Sequence, residues 1–146
     1  MSYTIIDHVV YGADEVVKQF VDDRLPYRRG DGFGPSTALG VIRNGRLVGG
    51  VVFHCFRGHD LEISIASDTP MWASKKTFAR LYAYPFRQLG VARITCITGR
   101  KNKPVRRLAG ASGFRLEGVH RKALDGVEDA MSYGLLRDDC RWLQYI

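Results

Sequence analysis

Between Thr69 and Leu116 the chain carries eleven lysines and arginines and not one aspartate or glutamate. Lys75 and Lys76 directly follow the hydroxyl of Ser74, and Arg100, Lys101, Lys103, Arg106 and Arg107 place five cations within eight residues. A solvated helix face would account for any one of them. A cluster of one sign repels itself until an anion approaches, however, so the chemistry these residues suit is anion binding. Upstream stands a carboxylate, Glu62, which alternates with Leu61, Ile63 and Ile65 and therefore lies on the polar face of a half-buried strand. His54, Cys55 and His59 are the right types for a metal site or a cysteine–histidine pair. Adjacent strand residues point to opposite faces, so His54 and Cys55 are not expected to meet, and no metal is expected. Trp72, Phe78, Tyr82 and Phe86 recur on one side at helical spacing, which marks core rather than a platform for stacking bases.

Elements must hold these groups in place. Tyr3 to Ile6 reads as a short strand, and after Gly12 a helix presents Val16, Val17, Phe20, Val21 and Leu25 on one face. Asp14 and Glu15 sit at its positive end and Pro26 stops it. Pro26 to Thr37, with three glycines and two prolines around Tyr27, Arg28, Arg29 and Phe33, reads as a long surface loop of the kind that carries function. Ala38 to Arg43 and Arg46 to Arg57 are strands joined by Asn44-Gly45, a pair that tolerates positive φ in a tight hairpin. A turn at Gly58-His59-Asp60 leads to the strand Leu61 to Ser67. The spacing then predicts a helix from Met71 or Trp72 to Leu89, closed by Gly90 and bent or shifted in its last turn by Pro85. Arg93 to Thr98 is again a strand, parallel to Leu61–Ser67 because a helix separates the two. A short basic helix, Asn102 to Ala111, ends at Gly113. Phe114 to Leu124 and Asp129 to Leu136 form a hairpin through Asp125-Gly126, and a C-terminal turn carries Trp142 and Tyr145. The order β-α-loop-β-β-β-α-β-α-β-β predicts an α+β fold with a mixed, mostly antiparallel sheet.

At 146 residues and 45% hydrophobic composition the chain suits one domain over 1–146. Its formal charge is +7, yet outside the acid-free stretch eleven basic and fifteen acidic residues give −4, so the basicity belongs to one third of the molecule. That third also holds Trp72, Phe78, Leu81, Tyr82, Phe86, Ile94, Ile97 and Phe114, which excludes a disordered basic tail. No apolar run is long enough to span a bilayer, and Met1 to Val10 lacks the pattern of a signal peptide, so a cytoplasmic protein without membrane contact is expected. Cys55, Cys96 and Cys140, odd in number and widely spaced, suit reduced thiols better than a disulfide frame.

Residues 102–121, NKPVRRLAGASGFRLEGVHR, are followed by Asp125-Gly126, Asp129-Ala130 and Tyr133 to Arg137. This ordered set resembles the C-terminal half of the GNAT superfamily of acetyl-CoA-dependent N-acetyltransferases, most closely the branch of ribosomal-protein N-terminal acetyltransferases. The likeness spans residues 38–139 and implies a GNAT-like acyl-CoA N-acyltransferase fold. It implies that acetyl-CoA lies where the strands 61–67 and 93–98 splay apart, against Ile65, Ala66 and Ser67. The head of the following helix then meets the pyrophosphate, with contacts from Ser74, Lys75 and Lys76. Asn102 meets the pantetheine arm, and Arg106 and Arg107 face the nucleotide phosphates. Glu62, directly or through a water, becomes the general base. Tyr133 or Ser64 stands in as proton donor to the thiolate, or the thiolate leaves without direct help. Tyr27, Arg29 and Phe33 line the acceptor site.

The sequence departs from that family twice. The Arg/Gln-x-x-Gly-x-Gly/Ala signature of the pyrophosphate loop is replaced by DTPMWASKK at 68–76, without a glycine, and the tyrosine common after the helix leucine is Ala109. The resemblance leaves the acceptor open among a protein N-terminus, a lysine, a polyamine and a small amine. It also implies a homodimer as one expectation, with Trp142, Leu143, Tyr145 and Ile146 as an apolar end. The alternative from a different class is a module of this fold that has lost catalysis and binds nucleic acid or a protein partner through its basic third.

Overall fold

In the computed structural model, which describes residues 2–27 and 32–146, two short strands open the chain, β1 (Thr4–Ile6) and β2 (Val9–Tyr11). There follow α1 (Asp14–Arg24), β3 (Ser36–Arg43), β4 (Arg46–His54), β5 (Asp60–Ser67), α2 (Lys75–Ala83), β6 (Arg93–Gly99), α3 (Lys103–Ser112), β7 (Arg115–Leu124) and β8 (Glu128–Leu136). Two 3-10 turns, Arg137–Asp139 and Arg141–Tyr145, end it. All eight strands form one sheet in the order β1-β2-β3-β4-β5-β6-β8-β7, antiparallel except at β5–β6, as the element order predicts.

The differences from expectation lie at single backbone torsions. One strand is expected over Tyr3–Ile6, but Asp7 and His8 both take positive φ (51° and 71°) and fold it into a hairpin that joins β3 through Val9↔Val41. No glycine or asparagine announces that turn. β4 ends at His54 rather than Arg57 because Cys55 is left-handed, φ 54°. α2 begins at Lys75 rather than at Met71 or Trp72, where the Ser74 hydroxyl accepts from the Thr77 N–H at 3.3 Å and caps it. Pro85 shifts the end of that helix into a π turn, Tyr84–Gln88, in which the Leu89 N–H reaches back to the Tyr84 carbonyl at 3.0 Å. The wider turn accommodates a residue with no N–H to donate.

Strand alternation sorts the interior into two layers. Val10, Ala38, Val52 and Ala66 face α1 and bury Val17, Phe20 and Val21. Val51, Phe53, Leu61, Ile63, Ile94 and Cys96 face the other way, under Trp72, Leu81, Tyr82 and Phe86 of the α2 side and Ala109 of α3. Gly50 allows α1 its close approach, since a Cβ there would stand 2.8 Å from a Val17 methyl. Trp142 and Leu143, from the apolar C-terminal end, pack partly buried against this second layer, with the Trp142 ring 5.1 Å from Phe78.

Candidate active site at the splayed strands

The parallel ladder of β5 and β6 is short. It pairs Asp60↔Arg93 through Ile63↔Cys96 and stops, while β5 runs on to Ser67 and β6 to Gly99. Both strands then turn into helices at this same end, the edge where parallel strands leave a crevice beyond their carboxyl termini. On the α1 face the opening is a cavity of about 390 Å³ lined by Glu62, Ser64, His54, Ile97, Thr98 and Asn102, with Pro26 and Tyr27 from the loop and Asp125 from the hairpin turn.

Glu62 is placed by register, opposite His54 on one side and Thr95 on the other. Its carboxylate lies 3.8 Å from His54 Nδ1 and 3.8 Å from Arg57 Nη2. His54, 2% exposed, has Nε2 at 2.9 Å from the Ser64 hydroxyl and Nδ1 at 3.4 Å from Cys55 Sγ. The expectation that His54 and Cys55 cannot meet is therefore corrected: alternation holds only while the chain stays extended, and the left-handed φ of Cys55 swings its thiol alongside the ring. Phe33 covers the imidazole, ring to ring at 5.4 Å.

Of the residues singled out by sequence, Glu62, Ser64, Asn102 and Tyr27 line one cavity. Tyr133 does not join them. It registers opposite Cys96, faces α3, and its hydroxyl accepts from Arg106 Nε at 2.9 Å. Period-two alternation thus sets Glu62 and Tyr133 on opposite faces of the sheet. Arg106 also donates to the Arg100 carbonyl at 3.0 Å, so its guanidinium ties α3 to its own approach. Ile65 faces the aromatic layer, Ala66 is buried under α1 and Ser67 ends exposed. Asn102 caps α3, its side-chain oxygen accepting from the Val105 N–H at 3.5 Å. The Lys75 ammonium lies 5.4 Å from the Tyr145 ring centroid, and Lys76 and Arg107 are exposed. Arg29 lies outside the described residues.

Sequence reasoning does not single out Glu128. Its carboxylate accepts from the Tyr27 hydroxyl at 2.7 Å and from the Lys101 N–H at 2.8 Å, and so ties the loop and the head of α3 to the β7–β8 hairpin. Tyr27 is 101 residues away, so no local signal could have joined them. The hydrogen bond to Glu128 raises the Tyr27 pKa, and the Lys101 N–H, then Tyr27, lower that of Glu128.

The glycine-free loop before α2 is held from both sides. Asp68 accepts from Arg24 Nε at 2.6 Å and Nη2 at 3.2 Å, an ion pair that lowers its pKa. Arg43 donates to the Trp72 carbonyl at 3.1 Å, and the Trp72 ring lies where a Cβ on Gly49 would be.

The acid-free stretch also finds acids from elsewhere: Asp7 for Arg80 at 2.9 Å, Glu117 for Arg93 at 2.6 Å and Asp129 for Arg100 at 3.8 Å. Among the described residues Lys75, Lys76, Lys101, Lys103 and Arg107 make no ion pair. Arg87, Arg106 and Arg115 also lack an acid among the described residues, so six of the eight unmatched cations stand at the head of α2 or in the approach and first half of α3. A larger hollow of about 620 Å³ beside β1 and α1 has an apolar lining with only Asp14 and Glu15 as charges, and Asp14 already accepts from the Ala38 N–H.

No family model and no curated protein matches the chain. Solved structures do. An acetyltransferase of the GNAT family from Bacillus anthracis is 19% identical, with a TM-score of 0.64 over 94% of this chain and 99% of that one. A putative acetyltransferase from T. thermophilus is 22% identical, with a TM-score of 0.62 over 73% of this chain and 61% of that one. RimL, a ribosomal L7/L12 alpha-N-protein acetyltransferase in complex with coenzyme A, is 18% identical, with a TM-score of 0.61 over 73% of this chain and 64% of that one. This chain spans less than two thirds of the length of the last two. At these identities the likeness is one of architecture, and by it the chain has the fold of the GNAT acetyltransferases.

Proposed function

We propose that the chain, as one domain over 1–146, moves an acetyl group from acetyl-CoA to a primary amine by direct attack. The observation that carries this reading is the splay of β5 from β6 beyond Ile63, beside a cavity lined by Glu62 and Ser64, with both strands leading into helices that carry unmatched cations. RimL, of the same fold, holds coenzyme A, which supports the choice of acyl donor. Glu62, or a water it orders, takes the proton from the attacking ammonium or amine. Beyond Ile63 the edge of β5 that faces β6 has no strand partner, so backbone N–H groups there can receive the thioester arm and the oxyanion. The thiolate then leaves with a proton from Ser64, which lines the cavity, or without help. Lys75, Lys76, Lys103 and Arg107 attract the phosphates. No helix among the described residues is long and apolar enough to cross a membrane, and three cysteines without a disulfide suit a reducing cytoplasm.

Titration calorimetry at moderate salt tests this reading. Saturable acetyl-CoA binding, weakened by Lys103→Ala with Arg107→Ala, is expected. Absence of saturable binding overturns it, and a steep fall of RNA or DNA affinity with salt, together with indifference to acetyl-CoA, would instead support the non-catalytic module. Acceptor arms with a peptide N-terminus, a lysine peptide, a polyamine and a small amine then select the substrate class.

A further inference from the structure

We propose that His54, Cys55 and Glu62 form a binding site for a thiophilic divalent cation of the zinc class, and that filling it stops acetyl transfer by occupying Glu62. The second half rests on Glu62 being the base; the first does not.

The donor atoms are already gathered. His54 Nδ1 is 3.4 Å from Cys55 Sγ and 3.8 Å from a Glu62 oxygen, and all three donors lie within 4.8 Å of one another. Ligands bound tetrahedrally at zinc distances stand about 3.4–3.6 Å apart, so small side-chain movements close the site. A thiolate, an imidazole and a carboxylate together favour zinc over magnesium or calcium, which prefer oxygen alone.

The surroundings fit the same use. In the tautomer whose Nε2–H donates to the Ser64 hydroxyl, 2.9 Å away, Nδ1 carries the lone pair, and anchoring of the second ring nitrogen is the usual support of a ligating histidine. His54 and Glu62 face each other across rigid paired strands. Cys55 holds a φ of 54°, a conformation that costs a side-chain-bearing residue and that brings Sγ to the imidazole. Arg57 competes for Glu62 only at 3.8 Å, while it bonds Asp60 at 2.7 Å. His54 and Glu62 line the cavity, and a site with three protein ligands keeps a fourth place for water, so a metal can enter and leave. Binding displaces the Cys55 thiol proton to solvent and changes no oxidation state.

Metal-stripped full-length protein is titrated with Zn²⁺ against a chromophoric chelator, and in parallel with Co²⁺. The expected result is one ion per chain, a thiolate-to-cobalt charge-transfer band, and at least tenfold weaker binding with loss of the band in Cys55→Ser. Cys96 and Cys140 are buried in the layer on the other face of the sheet, away from His54 and Glu62, and do not supply that band. Stoichiometric Zn²⁺ should also inhibit transfer by wild type but not by Cys55→Ser, each relative to its own metal-free rate. Undiminished binding in Cys55→Ser, or no band in wild type, overturns the site. Metal binding with no acetyl transfer in any condition instead overturns the transferase reading alone, and binding without inhibition overturns the regulatory half.

Discussion

At the level where β5 and β6 part, the two faces of the sheet are unlike. On the α2 side Val51, Ile63, Ile65, Trp72, Phe78 and Tyr82 leave about 10 Å³, about the least that holds one water. On the α1 side the same strands border about 390 Å³ lined in part by Glu62, Ser64 and His54. The sealed face also raises the pKa values of its buried groups: desolvation lifts the Tyr82 phenol and the Cys140 thiol. The C-terminus finishes the seal, with Trp142 Nε1 donating to the Ser112 carbonyl at 3.0 Å and Arg87 to that of Leu143 at 3.1 Å. One strand serves both purposes because its odd and even residues never share a face. Stability and chemistry are therefore separable by mutation.

The largest break in that division is expected at Glu62. Glu62→Gln should lower kcat by about 100- to 10,000-fold while acetyl-CoA affinity by calorimetry stays constant. Equal turnover in the variant would remove Glu62 from the mechanism. Next, Trp72→Ala should cost about 3–5 kcal/mol in urea unfolding, with the KM of the folded fraction little changed. Overpacking the same spot from the other side, Gly49→Ala should cost about 1–3 kcal/mol, because the new methyl meets the Trp72 ring.

Asn102 joins the two purposes. Asn102→Ala should lose about 1 kcal/mol as a cap and also weaken acetyl-CoA. Asn102→Asp keeps the cap but adds a negative charge to the cavity proposed for the anionic cofactor, so weakened binding at unchanged stability would isolate a cofactor role. If both variants bind acetyl-CoA like wild type, Asn102 is a cap alone.

The smallest effect concerns Tyr27 and Glu128. Tyr27 is held above its ordinary 10.0, so its contribution to stability is whole below that pH and is lost as pH rises through the folded value. Glu128 is held below 4.5, so its contribution is whole above that pH and is lost as pH falls through the folded value. In Glu128→Gln, ultraviolet titration should find Tyr27 shifted back toward 10.0; an unmoved phenol would show that the bond does not persist in solution.

How far the molecule was legible follows from range. Asn44-Gly45, Asp125-Gly126 and Gly113 announced their turns because local sterics alone select them, and all three have positive φ here. The alternation around Glu62, and the parallel pairing across α2, were likewise readable from a dozen neighbouring residues. The Asp7-His8 turn was hidden, since neither residue needs a left-handed backbone and only pairing of β2 onto β3 makes it worthwhile.

By itself, then, the sequence determined the order of elements from α1 onward, the polar face that bears Glu62 and the basic third that follows it, because periodicity and turn sterics act over a few residues. Only the tertiary structure decided that Tyr133 faces away from Glu62, that Arg80, Arg93 and Arg100 meet distant acids while the heads of α2 and α3 keep their charge, and that His54 touches Cys55. Those outcomes depend on which strand lies across from which and on one left-handed torsion, and neither is encoded in the spacing of nearby residues.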